Sequence, residues 1–402
     1  MTMETHRRRA AGLLLCVFAA MGYQTGAWAV SVPAIVAELG MTVSQLGLVL
    51  ALMAAGSIVG SLTLGRLAAW LTVRPVLVAA AAVSGLGYMT LPLLGTTALF
   101  AVGATGTGIG LGLFDAAANA TGSRQEIRTG RRLLPRLHAA FSFAAAFGVL
   151  ATYLVEGQQG FGWALSIAGG GCLAGALAAL RLPDSRQSDP SGVTTAETHP
   201  EWGGLSGRRM AVPVAVVAFT VVCGGFALDS TLEGYSALFI QQLPLQGAGQ
   251  GALGLIMLYL AATIGRAVSG PALRRMGDWK TLLSGETLAL AGVLTLIVDG
   301  SSWSIAVGML MIGVGMSPAI PIAYSLLGRS RSRGRERAIA RLTASGYVTF
   351  TMAPVLVGVV GRDSLLDAFA LLPLLLAGMA STVVWFGYRQ RAAPWHGPTV
   401  RG

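Results

Sequence analysis

The sequence predicts an all-α polytopic membrane protein, twelve transmembrane helices arranged as two six-helix bundles. Three observations lead there. Of 402 residues, 54% are hydrophobic and only 11% are charged, a balance far from that of soluble globular chains. Apolar stretches of about 20 residues, the length that spans a bilayer core, recur twelve times. All 28 Lys and Arg except Arg362 fall in or beside alternate connections, whereas Glu38, Glu156, Asp299 and Asp363 belong to the others. That asymmetry is the positive-inside signal. It puts both termini in the cytoplasm and accounts for the net charge of +11 without a nucleic-acid partner.

The first span, 10–36, follows Arg7, Arg8 and Arg9. Ala27-Trp28-Ala29 imitates a cleavage site, but no charge interrupts 10–37, far longer than a signal peptide's apolar core, so an uncleaved helix is expected. Gln24, Trp28 and Ser31 share a face, with Tyr23 adjacent. Such a set suits a sugar, polyol or small natural product, and equally an interfacial anchor. The second span covers 44–69. The third and fourth, 75–94 and 97–122, share one apolar block, and Leu94-Gly95-Thr96-Thr97 is the expected hairpin.

The fourth span carries the most informative residue. At 100° per residue, Gly108, Gly112, Asp115, Asn119 and Gly122 fall within one narrow stripe. An Asp at membrane depth costs about 2.5–3.5 kcal/mol on insertion scales, which makes Asp115 a functional-site candidate. Protonated, it can donate a hydrogen bond; deprotonated, it needs water, a cation or a polar ligand, so proton binding can couple to conformation. The competing reading is a structural carboxylate satisfied by Asn119 and helix-end Arg residues. In the fifth span, 137–157, His138 is either a proton relay to Asp115 or a cap beside Arg131, Arg132 and Arg136.

The sixth span, 161–180, closes an amino-terminal domain of residues 1–180. Residues 181–210, rich in Ser, Pro, Thr and charge, read as a cytoplasmic linker to a second domain, 211–402. Its first span, 211–238, carries Asp229 and Glu233 one turn apart near the expected outer end. There they could hold a proton, bind a cationic group or simply be solvated. The remaining spans are 251–273, 280–298, 302–327, 342–361 and 366–387. Glu286 lies about one turn inside the ninth, within reach of snorkelling, and Thr343, Tyr347 and Thr351 share a face of the eleventh. The end of the fourth span, GIGLGLFDAAANATGSR, parallels the end of the tenth, GVGMSPAIPIAYSLLGRS. A six-plus-six parallel duplication with a site between the halves explains that echo.

Cys16, Cys172 and Cys223 sit inside apolar runs without metal spacing, and the chain has no phosphate loop and no HExxH. No enzyme chemistry, cofactor or metal is therefore expected. The expected partners are a lipid bilayer, a small-molecule substrate and a proton, with the chain as a monomer.

Several motifs go further. They are Gly26-Ala27-Trp28 with Val32-Pro33, Gln45-Leu46-Gly47-Leu48, Phe114-Asp115 with Asn119 and Glu126, and Leu134-Pro135-Arg136-Leu137-His138 with Phe141-Ser142. Glu233-Gly234-Tyr235-Ser236-Ala237 and Gly265-Arg266 complete the set. With them the chain resembles the major facilitator superfamily, and within it the fucose-permease-like branch of bacterial inner-membrane proteins. The superfamily's signature inner loop survives as Gly65-Arg66 through Arg74, with Ala69 and Trp70 in place of its acidic and basic anchors. The second copy keeps Gly270, Arg275 and Gly277 but has Arg274 at the acidic position. These are the expected gating residues.

The resemblance implies a major facilitator fold and a proton-coupled carrier of the cell membrane working by alternating access. Asp115 stands where the branch has a protonatable fourth-helix carboxylate. The fifth span lacks the GPxxGG-like motif of drug antiporters. The leading expectation is therefore symport of a small polar solute, sugar-like or similar. Candidate proton-coupling residues are Asp115, Asn119, His138, Asp229 and Glu233; candidate substrate contacts are Tyr23, Gln24, Trp28, Ser31, Asn119, Tyr235, Tyr347 and Thr351. The alternatives are proton-antiport export of a drug or natural product, and a non-transporting membrane sensor on the same fold.

Overall fold

The computed structural model describes residues 3–129, 133–182, 208–244, 246–330 and 335–392. Most of the expected linker, and Arg131 and Arg132, lie outside the described residues. Among those described, all regular structure is helical, and 12 stretches are long and apolar enough to cross a membrane. The first half contains α1 (Met3–Leu39), α2 (Val43–Trp70), α3 (Val73–Thr90), α4 (Thr97–Thr129), α5 (Leu134–Gln159) and α6 (Phe161–Leu180). The second contains α7 (Arg208–Gln242), α8 (Ala248–Met276), α9 (Asp278–Val298), α10 (Ser302–Met316), α11 (Ala319–Ser330), α12 (Arg335–Val360), α13 (Leu365–Phe369) and α14 (Leu372–Ala392). The side on which α1 begins and α2 ends is the Arg-rich face; α2 begins at the opposite face.

Local chemistry sets the turns. Gly40 adopts a positive φ of 59°, and the Met41 N–H reaches back to the Val36 carbonyl at 3.0 Å, so α1 ends in a Schellman motif that only a residue without Cβ enters freely. Thr42 and Gln45 then cap α2 reciprocally, the Thr42 N–H donating to Gln45 Oε1 at 2.8 Å and the Gln45 N–H to Thr42 Oγ1 at 3.2 Å. The expected hairpin holds: a short 3₁₀ turn, Leu91–Leu93, precedes it and α4 opens at Thr97.

Two spans differ from expectation by being broken. The tenth is α10 and α11, interrupted at Ser317 and Pro318. Pro318 has no N–H to offer, so the helical hydrogen bond is lost there although Ser317 itself keeps helical dihedrals, φ −56° and ψ −33°. The Val314 carbonyl, which the Pro318 nitrogen would otherwise serve, accepts from Ser317 Oγ at 3.1 Å. The twelfth is α13 followed by α14, with Pro373 in the first turn of α14, where a missing N–H costs nothing. The signature connection between the second and third spans is also shorter than a loop. Gly65 and Arg66 lie within α2 and Arg74 within α3, leaving Leu71 and Thr72 as the turn. Arg74 Nη1 donates to the Leu182 carbonyl at 3.1 Å. Gly270 and Arg275 are likewise helical, and Gly277, at φ 77°, is the hinge between α8 and α9.

Packing within the first half pairs α2 with α4, α1 with α5 and α3 with α6; the second pairs α8 and α9 with α10, α7 with α12 and α9 with α14. Lipid gives helices little hydrophobic reason to associate, so close backbone approach through small residues carries much of it. The α2–α4 seam is of that kind. A Cβ on Gly108 or Gly112 would collide with the Met53 or Ser57 backbone carbonyl. Two glycines of the fourth-span stripe are therefore packing contacts. Large apolar side chains cover the outside, including Leu62, Val102 and Leu374, as a hydrocarbon solvent requires. Trp163 and Trp303 project outward near the first turns of α6 and α10, the level of an interfacial aromatic belt.

The halves meet through α2–α12, α5–α8 and α1–α7. At the opposite face Ser44 Oγ donates to the Gly358 carbonyl at 2.6 Å. The Tyr235 hydroxyl donates to the Pro354 carbonyl at 2.8 Å and, more weakly, to that of Val43 at 3.5 Å.

Candidate functional site

Helix α7 is where the site begins. Leu228 and Leu232 are buried, while Asp229, one residue on from Leu228, is exposed to a cavity of about 490 Å3 that Glu233 also lines. The sequence puts these acids near the outer end of the seventh span. The helix instead runs on to Gln242, so Asp229 sits just past the midpoint of the stretch Pro213–Gln242. The acid pair is at mid-membrane, where simple solvation at a boundary does not explain it.

Helix α7 is pinned on its far side by α12. Pro354 cannot donate to the Phe350 carbonyl four residues back, and Ser230 Oγ, next to Asp229, supplies the missing donor at 2.8 Å. With Tyr235 bonded to the Pro354 carbonyl, the proline kink fixes the rotation of α7 and hence the aim of Asp229.

Helix α8 supplies the opposing charge. Arg266 lines the cavity, and its guanidinium donates to Ser142 Oγ on α5 of the other half. Ser142 Oγ in turn donates to the His138 carbonyl at 3.2 Å. Asp229 and Glu233 act on Arg266 through space, so its direct bond goes to a neutral hydroxyl while two carboxylates share its surroundings. Charge asymmetry alone groups Arg266 with the connecting segments; the structure places it inside the membrane stretch Ala248–Met276. Packing allows this because Gly265 lies directly against Val314 and Ser317 at the α10–α11 break. The Tyr259 hydroxyl, about two turns before Arg266, is buried and faces Glu233.

Glu233 joins two spaces. Beyond it lies a second cavity of about 110 Å3 that reaches Trp28, Ser57 and Tyr88 in the first half. Trp28 meets Tyr88 edge-on at 6.2 Å and stacks on Phe100 at 6.3 Å. The wall of the larger cavity is otherwise mostly aliphatic, with Leu258, Ile312 and Met316 among its residues.

The other candidates lie elsewhere. Asp115 and Asn119 are bonded to each other, Asn119 Nδ2 donating to Asp115 Oδ1 at 2.9 Å and to the Asp115 carbonyl at 3.0 Å. They are not among the residues lining the 490 Å3 cavity, but Asp115 acts electrostatically on Tyr347 of α12, across the two halves. His138 does line that cavity. Gln24 is fully buried inside the first half, its side-chain Oε1 accepting from Ser84 Oγ at 3.1 Å and from the Cys172 thiol. Ser31 is also fully buried. Tyr23 packs beside Phe147 at 6.1 Å. Tyr347 meets Phe226 edge-on at 5.7 Å, and Thr351 bonds the Tyr347 carbonyl at 2.9 Å. Glu286 does not snorkel. It falls on the buried row of α9 with Leu282, Ala289 and Val293, fully enclosed and with neither oxygen hydrogen-bonded among the described residues.

Sequence reasoning missed Ser142, Tyr259 and Arg266 as site residues. The available signal was Arg266 itself, a permanent cation inside an apolar stretch.

Two helical bundles enclosing a charged, solute-sized space at mid-membrane define a polytopic carrier-type membrane protein. The family profile of the Major Facilitator Superfamily matches residues 13–330, and the chain belongs to that superfamily. An MFS-type transporter of Yersinia pestis is 25% identical over 364 residues, 90% of this chain and 91% of the relative. A transporter of Sinorhizobium fredii is 24% identical over 361 residues, 88% and 90% of the two chains. Among solved structures, the nucleoside transporter NupG superposes with a TM-score of 0.69 at 12% identity, covering 94% of this chain and 98% of that one. A D-xylose-proton symporter gives 0.70 at 16%, covering 96% and 98%. These likenesses establish the fold and place the chain among transporters rather than enzymes.

Proposed function

We propose that this protein is a secondary transporter that moves a small polar solute by proton-coupled alternating access. In this reading it sits in the cell membrane with its Arg-rich face toward the cytoplasm. The observation that carries it is the charge arrangement in the 490 Å3 cavity: Asp229 and Glu233 from one half, and Arg266 of that half bonded to Ser142 of the other. A carboxylate that must be neutralised before it is enclosed in a low-dielectric space takes up a proton. A guanidinium bridging the halves makes that protonation felt in their packing, which is what coupling requires. Asp115, bonded to Asn119 and electrostatically linked to Tyr347 across the interface, is a second proton site in the same scheme. The sugar-proton and nucleoside transporters of the same fold support small polar solutes as the cargo class.

The test is flux. Purified protein in proteoliposomes with an imposed proton gradient is offered sugars, nucleosides, amino acids and antibiotics. Gradient-driven accumulation of one class is expected, lost in Asp115→Asn and Glu233→Gln variants that remain monodisperse. Undiminished accumulation in both variants overturns the assignment of coupling. Proton-antiport export of an amphipathic cation is the second reading, favoured by the acid pair against an aliphatic wall. It predicts the opposite sign, proton entry driving solute out.

A further inference from the structure

We propose that the 490 Å3 cavity takes a zwitterionic amino-carboxylate, a free amino acid or close derivative with an apolar side chain, its ammonium on Asp229 and Glu233 and its carboxylate on Arg266. This rests on the transport reading for its purpose, though not for its evidence, which is the composition of the cavity wall.

Both signs of charge reach the same space, and neither is closed off by the other. Asp229 is exposed to the cavity, and Arg266 bonds the neutral hydroxyl of Ser142. A buried charge without a matched partner is costly, and a guanidinium is shaped to take a carboxylate with two parallel hydrogen bonds. Tyr259, 4% exposed, lines the same cavity with its hydroxyl turned to Glu233.

Other ligand classes fit less well. An anion would satisfy Arg266 but lie within the field of two carboxylates. A simple cation would satisfy the acids but approach the guanidinium. A neutral sugar can hydrogen-bond both poles and neutralises neither. A zwitterion pairs both at once, and the aliphatic wall receives its side chain. The acids exceed Arg266 by one charge, so one bound proton on Asp229 or Glu233 balances the loaded site. The other titratable groups around it are His138 on α5, Tyr88 on α3 and Tyr259 on α8. The cavity volume lies within the range of about 300–1,000 Å3 usual for small-molecule sites.

The experiment is binding to purified protein in detergent, read by calorimetry and thermal shift, with no flux required. The probes are L-leucine and L-phenylalanine within a panel of the common amino acids, L-leucinamide, N-acetyl-L-leucine, and D-xylose. The expected result is that at least one unmodified amino acid binds. Blocking either of its ends in the same way weakens binding about tenfold or more, equivalent to ~1.4 kcal/mol. Arg266→Gln should remove the advantage of the free carboxylate, so that amino acid and amide bind alike. Asp229→Asn should remove the advantage of the free ammonium. Arg266→Lys, which keeps the charge, controls for misfolding and should retain part of the discrimination. If no amino acid binds, or if D-xylose or a singly charged probe binds the wild type as tightly, the proposal is overturned. Amino-acid binding without any proteoliposome flux would overturn the transport reading and leave this one standing. Flux of a neutral solute without amino-acid binding would do the reverse.

Discussion

At the scale of single residues, Ser230 shows how one hydroxyl can decide where a charge points. It donates to the Phe350 carbonyl at 2.8 Å, the group that Pro354 leaves unbonded in α12. Removing that donor strands a buried carbonyl, which costs about 1–3 kcal/mol. Ser230→Ala should therefore lower the apparent melting temperature by several degrees, and it should loosen the rotation of α7 beside Asp229. The control is Pro354→Ala. It restores a backbone N–H to serve Phe350, so that adding Ser230→Ala in that background should cost less than about 0.5 kcal/mol. A double-mutant cycle measured by thermal unfolding reads the difference; equal costs in both backgrounds would show that Ser230 acts otherwise.

At the scale of elements, α4 presents two glycines with opposite predicted behaviour. A Cβ at Gly112 would meet the Ser57 carbonyl, whereas one at Gly106 meets nothing within 4 Å. Gly112→Ala should force α2 and α4 apart, at about 1–3 kcal/mol as an overpacking penalty, with reduced yield of folded protein. Gly106→Ala should be neutral or stabilising by up to ~1 kcal/mol through helix propensity. Fluorescence-detected size-exclusion with a temperature ramp separates the two, and similar curves would sink the packing account. The same helices mark what could be read from sequence. Hydropathy located every span, because each must bury its own backbone in lipid. It did not reveal the breaks at Pro318 and before Pro373, since a membrane helix can also kink through proline without stopping. The acids Asp115, Asp229 and Glu233 were visible as costly exceptions. Their depth was not, because the end of an apolar run such as 211–238 is set by tertiary contact rather than by hydropathy. Arg266, visible in the Gly265-Arg266 motif, does not read as a site residue, because a cation toward the end of a span looks like loop charge until Gly265 is seen packed on the α10–α11 break. The hydrogen-bonding face of the first span was legible, but the partners that bury Gln24, Ser84 and Cys172, come from distant helices that no local pattern announces.

At the scale of the whole molecule, the two halves are held together at the opposite face by contacts that the proposed alternating access would have to break. Ser44 Oγ bonds the Gly358 carbonyl at 2.6 Å, and a Cβ on Gly358 would fall 3.1 Å from both the Ser44 Cα and the Val43 carbonyl. The glycine lets α2 and α12 close; a larger residue there acts as a wedge. In Gly358→Leu the closed arrangement should lose population to one in which α2 and α12 separate, with the solute path no longer sealed on that side. A ligand-free equilibrium shifts only by the difference the substitution makes between the two states, so the effect should be readable without knowing the substrate. The measurement uses Ser44→Cys in a background lacking Cys16, Cys172 and Cys223, labelled with a membrane-impermeant maleimide added at the opposite face. The Gly358→Leu wedge should raise the labelling rate about tenfold, corresponding to ~1.4 kcal/mol, and abolish net flux. Gly378→Leu, on α14 at a position where a Cβ meets nothing within 4 Å, should leave the rate unchanged. Equal labelling with and without the wedge would mean that α2 and α12 are a static seam, and that the moving gate of this transporter lies elsewhere along the interface.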